Sequence, residues 1–175
     1  AMQNVLLLDM AIHTFDAARF MSGQDAKAVY CHETNPRGSW YAHGAAANAI
    51  FEMGNDVVFT YRGSWAAEGA KTSWESAWRL IGTRGTLLWD GADRFEAHVV
   101  AGNEGFHRPL GLLDVPEPAD PAQTHGHASV IAEFVDAVEA GRTPETNGTD
   151  NIRSLAMVFG AIESASTRQR VQIAA

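Results

Sequence analysis

The alternation of apolar and polar positions divides the chain into helical ends and a strand-rich middle. VLLLDMAIHTFDAARFMSG starts apolar and then repeats hydrophobic residues at helical spacing, so a helix is predicted through about Met21. Asp9 is placed to cap it, and Gly23 stands where a helix C-terminus expects glycine. Residues 26–33 read as a strand. Asn48–Met53, a Gly54-Asn55-Asp56 turn and Val57–Trp65 read as a hairpin, with Val57, Phe59, Tyr61 and Trp65 on one face and Val58, Thr60 and Arg62 on the other. Gly82-Thr83-Arg84-Gly85 between two apolar runs signals a second hairpin. Residues 94–100 and 110–115 predict further strands.

Beyond Pro116, Pro118 and Pro121 the period returns to that of a helix. Val130, Ile131, Phe134, Val135 and Val138 form one stripe over 127–140, ended by Gly141. Ile152, Leu155, Ala156, Phe159 and Ile162 form another, starting near Thr149. Residues 171–173 suggest an edge strand. Helix, antiparallel strands, then two helices predict an α+β fold: a mainly antiparallel open sheet with helices packed on one face. The Trp and Phe content suggests that the other face is covered by a second copy, making a homo-oligomer.

Composition narrows the function classes. In 175 residues there is room for one compact domain. Acids exceed bases 21 to 13, the net charge is −8 and no Lys/Arg run occurs, which argues against nucleic acid as a partner. The longest aliphatic run, Val5–Leu8, is too short for a membrane span or a signal peptide, so no membrane association is expected. Cys31 is the single cysteine, which excludes a disulfide framework and fits a reducing, cytoplasmic setting. Ala1 ahead of Met2 looks like an expression scar, and the chain reads as an excised piece of a longer protein.

The candidate chemistry lies on the first helix. Asp9, His13 and Asp16 are spaced i, i+4, i+7 and share one side of a regular helix. An imidazole beside a carboxylate, with its tautomer fixed, is what a proton acceptor near neutral pH requires. The same spacing also suits a solvated polar stripe in which Asp9 only caps, and spacing alone leaves both readings open. His125-Gly126-His127 is a weak metal signal without a Cys pair or HExxH, and no metal site is expected. No Gly-rich dinucleotide fingerprint, Walker motif or nucleophile elbow occurs. Lys71 and Trp65, near Gly63 and Gly69, are further pocket candidates whose ordinary reading is a solvated lysine and a core aromatic.

LLLDMAIHTFDAARFMSG resembles the start of the C-terminal domain of the Gfo/Idh/MocA oxidoreductases, a family that includes glucose–fructose oxidoreductase and inositol dehydrogenase. Asp9, His13 and Asp16 match its D-x-x-x-H and following Asp. WRLIGTRGTLLWDG is similar to its hairpin, and IAEFVDAVEAGRTPETNGTDNIRSLAMVFGAIESA to its closing helix pair. The resemblance implies that residues 1–175 are the substrate-binding and oligomerisation domain of an NAD(P)-dependent sugar, inositol or polyol dehydrogenase. NAD or NADP would be held mainly by an N-terminal Rossmann domain absent from this chain. His13 would exchange the substrate's hydroxyl proton. Asp9 would hydrogen-bond that hydroxyl and orient His13, and Asp16 would anchor the helix. The family's E-K-P lysine is missing here, and without the dinucleotide site the chain has no hydride acceptor, so alone it is expected to be inactive. The alternative is a non-catalytic dimerisation or ligand-binding module on the same fold.

Overall fold

The computed structural model describes residues 2–117 and 126–174. It forms an α+β fold of two four-stranded antiparallel sheets and three α-helices. The chain divides into two compact units, Ala1–Glu68 with Glu133–Ala175, and Gly69–Ala132.

In the first unit, a π-helical turn, Leu7–Ala11, runs into α1, Ile12–Ser22. Helix α1 stops where Gly23 takes φ +63°, and the Gly23 amide donates to the Arg19 carbonyl at 2.8 Å. Strands β1 (Ala26–Thr34), β2 (Ala46–Met53) and β3 (Val58–Ser64) follow. The β2–β3 turn puts Asn55 and Asp56 in the left-handed region, with φ +52° and +57°. The short β8 (Val171–Gln172) closes the sheet in the order β3-β2-β1-β8.

Alternation assigns the two faces. Val29, Cys31, Ala47, Ala49, Phe51, Met53 and Tyr61 point inward, while Tyr30, His32, Asn48, Ile50, Thr60 and Arg62 point outward. The inward set meets Leu7, Ala11 and Phe15 from the first helical segment, and Met157, Val158 and Ala161 from α3 (Gly148–Thr167). Phe15 is fully buried, with its ring centroid 4.7 Å from Phe51, 5.2 Å from Tyr61 and 6.1 Å from Phe59. Edge-to-face packing of that kind adds to the burial energy. Val57, Phe59 and Trp65 pack against this core from β3 and its flanks. Ser164 of α3 is buried against β1: its Oγ accepts from the Cys31 amide at 2.8 Å and donates to the Gln169 carbonyl at 2.5 Å.

The second unit is a meander of β4 (Trp78–Gly82), β5 (Gly85–Trp89), β6 (Phe95–Val100) and β7 (Leu110–Leu113). Gly82 pairs with Gly85, so Thr83 and Arg84 make the predicted turn. Trp78, Trp89 and Phe95 form one cross-strand row, and the last two rings stack at 5.6 Å. Gly91, at φ +81°, has no room for a Cβ, which would overlap the Ser76 carbonyl oxygen. Helix α2 spans Gly126–Glu139. The predicted stripe on it forms, but Val130, Ile131, Phe134, Val135 and Val138 are all exposed, and Ala137 alone among its described residues is buried.

Candidate functional site

His13 stands on the first turn of α1 with its side chain exposed, because α1 turns Ala11, Phe15 and Ala18 toward the sheet. It lines an open cleft of about 560 Å³ in the first unit. The far wall is the loop before α3 and its first turns, with Glu145, Asp150, Asn151 and Arg153, while Asp16, Arg19 and Phe20 continue the α1 side. Such a wall offers several acceptors, an amide and a guanidinium to a ligand carrying many hydroxyls.

A charged network below His13 holds the two walls together. Arg19 is only 8% exposed. Its Nε donates to Asp25 at 2.9 Å, its Nη2 to Asp150 at 3.0 Å, and its Nη1 to Ser154 Oγ at 2.8 Å. Ser154 Oγ in turn donates to Asp16 at 2.5 Å, and Arg19 Nη1 lies 3.3 Å from the same Asp16 oxygen. Arg153 adds a contact to Asp150 at 3.0 Å. The Asn147 side chain caps α3 by accepting from the Asp150 amide at 3.1 Å. The hydrogen bond from Arg19 holds the Asp150 carboxyl below the usual carboxylate range. Asp16 therefore ties α1 to α3.

Asp9 departs from the sequence reading. It is not an N-cap: Val5 and Leu6 are already helical, and the Leu8 amide donates to the Asn4 carbonyl at 3.0 Å. The helix starts upstream because Asn4 takes a left-handed backbone, with φ +52°. Asp9 falls inside the π turn, exposed, and does not line the cleft that His13 lines. Neither Asp9 nor His13 makes a side-chain hydrogen bond or ion pair among the described residues.

The sequence reading missed Arg19, Arg153, Asp150 and Ser154. Arg19 had a readable signal: with Ala11, Phe15 and Ala18 it lies on the buried stripe, where an arginine needs partners. Two of its partners, Asp150 and Ser154, sit 131 and 135 residues away, which no local pattern reveals. His127 lies exposed in the first turn of α2, and His125 lies outside the described residues. Lys71 is exposed and Trp65 packs on the core. Among the described residues no group of three His, Cys, Asp or Glu is placed to hold a metal ion, and no helix is long and apolar enough to cross a membrane.

Both sheets are antiparallel throughout, and among the described residues no strand feeds a glycine-rich turn into a helix N-terminus.

The chain belongs to the GFO/IDH/MocA C-terminal domain family, whose model matches residues 1–88. It is 25% identical over 179 residues to the uncharacterized protein y4oX of Sinorhizobium fredii, covering 98% of this chain and 48% of that protein. It is 26% identical over 178 residues to the D-apiose dehydrogenase of Rhizobium rhizogenes, covering 99% and 50%. The fold matches an oxidoreductase from Agrobacterium radiobacter, solved with NAD+, L-tartaric acid and magnesium, at a TM-score of 0.71 and 23% identity, covering 94% of this chain and 48% of that one. The chain thus spans about half the length of the curated relatives it matches.

Proposed function

We propose that this chain is the substrate-binding and subunit-associating half of an NAD(P)-dependent oxidoreductase acting on a sugar, inositol or related polyol. The supporting observation is the exposed His13 at an open cleft walled by Asp16, Glu145, Asn151 and Arg153. Alcohol oxidation removes a proton from oxygen and a hydride from carbon. Only the first of these falls to residues present here. His13 accepts the hydroxyl proton and returns it in the reverse direction. Asp9, exposed on the preceding π turn, takes the part of hydrogen-bonding the substrate hydroxyl and orienting His13, although it is not among the residues that line the cleft in this chain. NAD or NADP comes with that other half, a Rossmann domain ahead of residue 1, so residues 1–175 act as one functional domain that does not turn over alone. The D-apiose dehydrogenase relative supports the sugar class.

The outward face of the first sheet supports association with a second copy. Tyr30, Ile50 and Val58 are 45%, 51% and 62% exposed there, with Ile50 paired between Tyr30 and Thr60. Sedimentation of a strict monomer at micromolar concentration counts against that interface.

The test of the catalytic role uses the full-length polypeptide. His13→Ala should lower turnover by about 10²–10⁴-fold, the usual worth of a proton-transfer group, with cofactor affinity kept. Unchanged turnover rejects the role of His13 and leaves the non-catalytic module.

A further inference from the structure

Glu33 is an acid on the inward face of β1. It continues the row of Val29 and Cys31, and it pairs with Ala47 of β2 at the end of the sheet where residues 35–45 return. Its Oε2 accepts from the Asn4 side-chain amide at 2.5 Å. Its Oε1 is buried and has no hydrogen-bond partner among the described residues. Gly44 packs on the same carboxyl, since a Cβ there would lie 2.5 Å from the Glu33 Cδ. A buried carboxyl with one oxygen unsatisfied costs stability that an apolar residue at the same position would not. Such a group calls for a use.

The use lies in what Asn4 begins. Its backbone takes φ +52°, and a non-glycine residue is kept in that region only by its surroundings. Its carbonyl accepts from the Leu8 amide at 3.0 Å, as the π turn Leu7–Ala11 opens, and Asp9 stands exposed in the middle of that turn. Isolated π turns are rare and recur at functional sites. Downstream, Ala11 and Phe15 are fixed in the core. Upstream, Leu6 and Leu7 are buried as well, but apolar burial has no direction and lets a helix roll. The hydrogen bond from Asn4 to Glu33 is directional and sets the roll.

We propose that Glu33 and Asn4 are positioning residues for Asp9: their hydrogen bond, with Gly44 leaving room for the carboxyl, holds the π turn that carries Asp9. This rests on the reading above in which Asp9 and His13 serve alcohol oxidation. Without the bond the turn settles toward α pitch, and Asp9 changes its place relative to His13.

A double-mutant cycle on the full-length polypeptide tests this. Asp9→Asn should lower kcat by about 10–100-fold, the usual worth of a group that orients another. Glu33→Ala should lower kcat by a similar factor with KM changed less than about twofold, because a small misplacement is felt in the transition state. In the Asp9→Asn background Glu33→Ala should cost less than about twofold more, whereas a purely structural loss multiplies in both backgrounds. Glu33→Gln keeps an acceptor for Asn4 and should restore most of kcat. Asn4→Gly keeps the left-handed backbone, removes only the donor and completes the same cycle if Glu33→Ala fails to fold. Equal losses in the two backgrounds, or no loss in the wild-type background, overturn the proposal. Unchanged kcat in Asp9→Asn also overturns it, since nothing is left to position, and an inactive His13→Ala then leaves the role of His13 standing. A coupled cycle with His13→Ala fully active refutes only the role of His13.

Discussion

Replacing Arg19 by alanine probes the joint between the cleft walls. The guanidinium is 8% exposed, while Asp16, Asp25 and Asp150 are 50%, 48% and 44% exposed. Breaking a fully buried ion pair costs about 3–5 kcal/mol, most of it from the charge left behind. Here the three carboxylates can rehydrate, so the electrostatic loss is smaller, but the packed aliphatic stem also disappears. Together these give an expected loss of about 2–3 kcal/mol. In urea that lowers the midpoint by about 1–2 M at unchanged slope. Arg19→Met keeps the stem and should recover about 1 kcal/mol of the loss. Asp150 adds a pH signature. Its folded pKa is depressed, so its contribution is complete above the unfolded value of about 3.9 and disappears as pH falls through the folded one. The gap between the wild-type chain and Arg19→Ala should therefore narrow on acidification below about pH 4. A loss under about 0.5 kcal/mol at pH 7 would mean that the network is solvated decoration.

Ser164→Ala leaves the Cys31 amide and the Gln169 carbonyl without their hydroxyl partner, so a loss of about 1–3 kcal/mol is expected by denaturant titration. Burial pushes the Cys31 thiol up to about 12, so it should resist a thiol reagent at pH 8 in the folded chain and react at once in urea. Glu33 has one buried carboxylate oxygen without a partner, and burial raises its pKa against the opposing hydrogen bond from Asn4. A raised folded pKa means that the proton-bound form stabilises and that this contribution is lost as pH rises through the folded value. Glu33→Gln should accordingly gain stability relative to the wild-type chain between pH 4 and pH 7; a difference that stays flat across that range contradicts a buried carboxylate at this position.

Most elements were legible because their signals are local. Alternation along 57–62 assigned both faces of β3, and Gly54-Asn55-Asp56 and the Gly82/Gly85 pair marked the two turns. The helix with His13 was legible from its apolar repeat, but its phase was not, since nothing in VLLLD announces a π turn rather than an α turn. Burial was the other gap. The periodicity of 130–138 identifies an apolar stripe correctly, yet a stripe states only that a face wants cover, not whether this chain supplies it. Asp150 and Ser154 escaped notice because their meaning depends on Arg19, far away in sequence.

The π turn at Leu7–Ala11 works as a splice in the first helical segment. It takes up one residue more than an α turn in about the same sweep, so a residue gained or lost there alters the count between Asn4 and His13 while the segments on either side keep their facing. Asn4 reaches the Glu33 carboxylate, and Ala11 and Phe15 reach the sheet, across a surplus residue that the wide turn absorbs.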